Sequence, residues 1–162
     1  LNNLYKKLYF QNQCFVHRDF HISNLMIKKN NIGLLDSQDI IRGNLLYDVA
    51  SLIDDVRIIL SNQLKSKLFN YYLHETKKIK KNEKNFAKND FDILSVQRNL
   101  KILGIFVRLY KRDKKSTYLK FLPYTWRLLE LRLKNEIFNK LNYLLNKAVS
   151  KKNRKKVSFN AD

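Results

Sequence analysis

The spacing of apolar residues changes once along this chain, near Gly43, and that change restricts the folds open to it. Before it, apolar residues fall in short runs: Cys14-Phe15-Val16, then Leu25-Met26-Ile27 and Ile32 to Leu35 on either side of Lys28 to Asn31. The first run reads as a short buried strand. The other two read as a β-hairpin, because Asn-Asn tolerates the positive φ of a tight turn. Ahead of them, Leu4 and Leu8 carry the spacing of a helix face over Leu1 to Gln13. Beyond Gly43, Tyr47, Val49, Ala50, Leu52, Ile53, Val56, Ile59 and Leu60 mark a helix buried over a broad face. Further helices are predicted over Gln63 to Lys80, Asp90 to Tyr110 and Pro123 to Lys147, with Pro123 suited to a first helical position and Lys77 to Asn89 as an exposed connection. The fold class is therefore α+β and mainly helical: a small β-hairpin region followed by a helical bundle.

At 162 residues the chain has room for one domain with a real core, and its 44% apolar content excludes a disordered protein. No uncharged apolar run approaches the ~18 residues of a membrane span, so no membrane partner is expected. A lone cysteine, Cys14, rules out an internal disulfide and makes a reducing cytoplasm the default. The first residue is Leu, which suggests that the front of the reading frame is missing.

Charge divides the chain. Residues 1–60 hold seven Lys or Arg against six Asp, whereas the remainder carries a net +18 of the total +19. The excess is mostly lysine in a chain crowded with Asn and Ile, as an AT-rich coding bias produces without selection for a polyanion. Residues 149–162 form a basic tail, expected to be loose from Lys151 onward and able to touch nucleic acid non-specifically.

All six acidic residues before position 60 are Asp, and four of them (Asp19, Asp36, Asp39 and Asp48) adjoin turn-like or strand-end sequence. In His17-Arg18-Asp19-Phe20-His21-Ile22-Ser23-Asn24, Asp19 and Asn24 bracket a loop between two strands, and Asp36 follows the second strand of the hairpin. Three oxygen-bearing side chains are thereby directed toward one point. Hard oxygen ligands suit Mg²⁺ shared with phosphates, and a carboxylate not used by the metal could accept the proton of an attacking hydroxyl.

His-x-Asp-x-x-x-x-Asn, met at His17, Asp19 and Asn24 and followed by Asp36 after a hairpin, resembles the signature of kinase-like phosphotransferases. Asp36-Ser37-Gln38-Asp39 and the later Tyr47-Asp48-Val49-Ala50 resemble the aminoglycoside phosphotransferase branch more than protein kinases. Within that branch, Phe15-Val16 ahead of His17-Arg18-Asp19, Gln38-Asp39, and the run Gln97 to Phe106 continuing into Arg108-Leu109 are most similar to the cell-wall sugar kinases. Those enzymes phosphorylate N-acetylmuramate and N-acetylglucosamine at the anomeric hydroxyl.

The resemblance implies a kinase-like C-terminal lobe over residues 1–148, with ATP and Mg²⁺ as cofactors and a small sugar as substrate, acting in cytoplasmic cell-wall recycling as a monomer. It implies Asp19 as catalytic base, Asn24 and Asp36 as Mg²⁺ and nucleotide ligands, Asp48 as the carboxylate supporting the loop, and His17 as an orienting residue. Ser37 departs from the Phe or Trp common after the metal-binding Asp. No Gly-rich phosphate loop and no strand-borne lysine precede the catalytic loop, so the ATP-holding lobe is expected to be absent.

Other readings stand beside these. An aminoglycoside kinase is the rival enzyme and a basic nucleic-acid-binding fragment the rival non-enzyme. Asp48 could be a plain helix N-terminal acid, Asp39 a cap, and Asp54 and Asp55 surface or ion-pairing residues. His21 suits loop packing, His74 exposure, and Trp126 packing between helices.

Overall fold

A computed structural model describes residues 2–156. They gather into two compact units, Leu1–Ser95 and Val96–Asp162, and the division falls inside the longest helix, which is why no linker marks it in the sequence.

The first unit opens with α1 (Asn2–Tyr5), a single turn where apolar spacing predicted a helix to Gln13. Strand β1 (Cys14–Val16) forms where expected but is not buried as a whole, since Val16 alone is buried and Phe15 is exposed, and β2 (Leu25–Lys28) and β3 (Asn31–Leu34) form the predicted hairpin, Leu25 facing Leu34 and Lys28 facing Asn31. The left-handed turn residue is Lys29, with φ of 55°, rather than either asparagine. Strand β4 (Ile41–Gly43), which the sequence reading missed, pairs antiparallel with β1. Gly43 is required there, since a Cβ would lie 2.6 Å from Val16 Cγ2.

Helix α2 (Tyr47–Ile53) is shorter than its apolar pattern. Helix α3 (Asn62–Glu75) starts where the Ser61 hydroxyl accepts from Leu64 N–H at 3.2 Å, and ends five residues before the expected Lys80. The stretch read as an exposed connection is largely structured. Ile79 and Ala87 are buried, Glu83 accepts from the Lys80 N–H at 2.8 Å, and α4 (Lys84–Asp113) begins six residues ahead of Asp90. Leu46, Ala50, Ile53, Leu73, Ile79, Ala87, Phe91 and Leu94 make the core of this unit.

In the second unit α5 (Leu122–Arg132) carries Pro123 in its first turn, and the single helix expected to Lys147 is broken. A 3₁₀ turn at Glu136–Phe138, whose buried Phe138 ends the break, separates α5 from α6 (Asn139–Ala148). The tail expected to be loose is helical over α7 (Lys151–Arg154), because Arg154 is buried and bonded to α5 and α6. Its last six residues, 157–162, lie outside the described residues. The mainly helical α+β class is observed, and among the described residues no helix is long and apolar enough to cross a membrane.

Candidate active site

The loop between β1 and β2 has little regular structure of its own, so its backbone amides need acceptors from elsewhere. Two carboxylates supply them, Asp48 half-buried and Asp55 fully buried. Asp48, in the first turn of α2, accepts the His17 N–H at 2.7 Å and the Arg18 N–H at 3.0 Å. This pair of bonds holds Arg18 in the left-handed region, φ 73°, and so fixes the turn on which Asp19 follows. Burial pushes the Asp48 carboxyl above its ordinary pKa, opposed by the two backbone bonds. Asp55, fully buried rather than at the surface, accepts the Ile22 N–H at 3.0 Å and both the Arg57 N–H and guanidinium. Two carboxylates seven residues apart thus grip the two halves of one loop.

His17 is buried and its Nε2 lies 2.8 Å from the Leu35 carbonyl. Since a carbonyl only accepts, Nε2 carries the proton. The ring is thereby committed to joining the loop to the end of the hairpin, an orienting contact rather than the position of a base. The Leu35 N–H in turn donates to the Asn24 carbonyl at 2.9 Å, which sets Asn24 beside the residue that precedes Asp36. The Asn24 Nδ2 donates to the Asp19 carbonyl at 2.9 Å, leaving Oδ1 as the acceptor end. Asp36 is left-handed, φ 63°, and its carboxylate accepts from the Gln38 amide. These bonds tie Asn24 to the Asp19 backbone and to Leu35, next in the chain to Asp36; the Asp19 and Asp36 residues are exposed and Asn24 is half-buried.

Among the described residues no three His, Cys, Asp or Glu side chains gather as a metal site. The donor set here is one carboxylate and one amide oxygen, Asp36 and Asn24. That fits a small hard cation which keeps several waters and phosphate oxygens, and it does not fit a cation that requires a full protein cage.

Several residues bearing on this arrangement were missed from sequence. Asp55 is one; its seven-residue spacing from Asp48 was the available signal. Gln38 is another, through its contact with Asp36. A third group is Asp90, which accepts from the Tyr9 and Phe10 N–H groups at 2.8 and 2.9 Å and from Asn44 Nδ2 at 2.8 Å, tying the segment before β1 to α4. Asp54 is also buried, bonded to the buried Lys65 at 2.9 Å and to the Ser95 hydroxyl, so its ion-pairing expectation holds and its surface placement does not. His74 is exposed, as expected, and Asp39 lies exposed at the end of a 3₁₀ turn, whose N-cap position is held by Asp36.

A cleft of roughly 720 Å³ opens behind the loop, lined by Val16, His17, Phe20, Asp48, Val49 and Tyr72 among others. Tyr72 donates to the Leu45 carbonyl at 2.7 Å, and burial pushes its phenol up to about 12.

Residues 2–80 match the phosphotransferase enzyme family. An N-acetylmuramate/N-acetylglucosamine kinase of Pseudomonas aeruginosa is 35% identical over 124 residues, which is 74% of this chain and 36% of that protein. A protein of the same name from Neisseria meningitidis serogroup B is 34% identical over 127 residues, 76% of this chain and 38% of its own length. One from Caulobacter vibrioides is 29% identical over 72% of this chain. The chain spans little more than a third of the length of these relatives.

Proposed function

We propose, from the premise that this chain belongs to the phosphotransferase enzyme family, that it carries the acceptor and metal side of a sugar kinase. The reaction is transfer of the terminal phosphoryl group of ATP to a hydroxyl of N-acetylmuramate or N-acetylglucosamine, the sugars in the names of the relatives. The observation that supports this reading is the set of bonds from Asp48 through His17 and Leu35 to Asn24, with Asn24 also donating to the Asp19 carbonyl and Asp36 following Leu35 in the chain.

In this reading Asp19 accepts the proton of the sugar hydroxyl as it attacks. Its carboxylate is exposed and has no part in the clamping bonds, which leaves it free to meet a substrate. Asn24 Oδ1 and Asp36 hold Mg²⁺, which supplies neutralisation of charge on the transferring phosphate. Asp48 and His17 touch neither substrate nor metal; they hold the loop in shape. The phosphate-covering loop and strand lysine that a kinase also needs are not found in these 162 residues.

Charge favours acetylated sugars over aminoglycosides. The chain holds 33 Lys and Arg against 14 Asp and Glu, a net +19, which disfavours a polycation and favours the lactyl carboxylate of N-acetylmuramate. The test is kcat/KM of the complete enzyme for N-acetylmuramate, N-acetylglucosamine and kanamycin measured side by side. A preference for either acetylated sugar is expected, and a kanamycin preference overturns the substrate assignment.

A further inference from the structure

The second unit contains a cavity that the phosphotransfer site does not use. It measures roughly 650 Å³ and lies between α5, α6 and α7, walled by Trp126, Arg127 and Glu130 from the first, by asparagines of the second, and by Lys151, Arg154 and the following Lys155. Such a volume lies within the range of small-molecule sites.

Its floor is built around one fixed cation. Arg154 is 3% exposed, an unusual position for an arginine two residues from the end of the described chain. Its Nε donates to the Val149 carbonyl at 3.1 Å, Nη2 to the Leu145 carbonyl and to Asn146 Oδ1 at 2.8 and 2.9 Å, and Nη1 to Glu130 at 2.8 Å. The guanidinium also lies 4.6 Å from the centre of the Trp126 ring. Four of its five N–H donors are used. The remaining Nη1 hydrogen has no acceptor among the described residues.

The rim adds charge of the same sign. Arg127 rests over the Tyr124 ring at 5.0 Å, and no carboxylate partner is found for Arg127, Lys151 or Lys155 among the described residues. Against these four cations the cavity wall holds one carboxylate, Glu130, already bonded to Arg154. A concave wall with a surplus of three positive charges concentrates potential on whatever enters. Preorganised guanidinium and ammonium donors match the acceptor geometry of phosphate oxygens.

We infer that this cavity is a binding site for a small phosphorylated molecule, with phosphate oxygens meeting Arg127, Lys151, Lys155 and the spare Arg154 donor, and the rest of the ligand lying against Trp126. The concave volume suits one small molecule, which favours that occupant over a nucleic acid strand. This inference does not depend on the kinase reading, because the site lies wholly in the second unit.

The chain has one tryptophan, Trp126, so its fluorescence reports on this cavity alone. Pyrophosphate and glucose 1-phosphate are titrated into the full chain at fixed ionic strength, with glucose and sodium chloride as controls. A saturable change with a Kd at or below about 1 mM for the phosphorylated probes, and none for the controls, is expected. Arg127→Ala with Lys155→Ala should weaken binding by about tenfold or more, whereas Lys111→Ala with Lys115→Ala, exposed and outside the cavity, should change it less than about twofold. Asn142→Asp is a second variant that adds negative charge to the wall while keeping every cation, and it should weaken binding similarly. No saturable change, equal binding in the cavity and control variants, or DNA binding that pyrophosphate cannot compete with would each overturn the proposal.

Discussion

Replacing Asp48 by Ala removes the only acceptors that the structure gives the His17 and Arg18 amides. The His17 residue is 4% exposed, so its N–H is left without water, while Arg18 is half-buried and regains some. An unsatisfied buried donor costs about 1–3 kcal/mol, which with partial rehydration at Arg18 gives a loss of about 2–5 kcal/mol. Each kcal/mol moves Tm by about 2–4 °C in a chain of this length, so the expected fall is roughly 5–15 °C by calorimetry or circular dichroism. Asp39→Ala is the internal comparison: Asp39 is exposed, and the change should stay within about 0.5 kcal/mol. Amide exchange locates the effect, with protection lost at His17 and Arg18 before any loss in α3. A Tm change for Asp48→Ala no larger than that of Asp39→Ala would refute the clamp, and with it the reason the loop holds its shape.

Two further outcomes are expected. The 162-residue chain alone should transfer no phosphate from ATP to N-acetylmuramate in the presence of Mg²⁺, and turnover above a buffer blank would show that no further lobe is needed. Tyr72 should titrate near 12 when followed by ultraviolet absorbance, with the step absent in Tyr72→Phe. Because its folded pKa is raised above the unfolded value of 10.0, its contribution to stability is full below pH 10 and is lost as pH rises through about 12. A Tyr72 step at 10 would contradict its burial against Leu45.

Much of the first unit was legible because its elements are local. The hairpin follows from two apolar runs and a polar turn, and the Asp19, Asn24 and Asp36 spacing places each residue at a strand end. What the sequence concealed was long-range. Strand β4 pairs with β1 across 24 intervening residues, and nothing in Ile41-Arg42-Gly43 announces that partner. Asp55 was expected at the surface or in an ion pair, and Asp90 only as the start of a helix; both are buried because irregular backbone elsewhere needs acceptors, and Asp55 pairs with Arg57 as well. The tail misled for a related reason: six residues with five cations looked loose, yet one of them, Arg154, finds Glu130 and the last carbonyls of α6. The break after α5 lies in a stretch whose apolar spacing continues through it, so periodicity alone ran the two helices together.

The central claim is that Asp19 acts on the sugar hydroxyl while Asp36 acts on the metal, and steady-state kinetics of the complete enzyme separate the two. Asp19→Asn should lower kcat by about 10²–10⁴-fold, with KM for ATP little changed, as expected of a lost general base. Asp36→Asn should raise the KM for Mg-ATP as well as lower kcat, since a metal ligand acts on ground state and transition state alike. Retained kcat in Asp19→Asn, or the same kinetic change in both variants, would contradict the account.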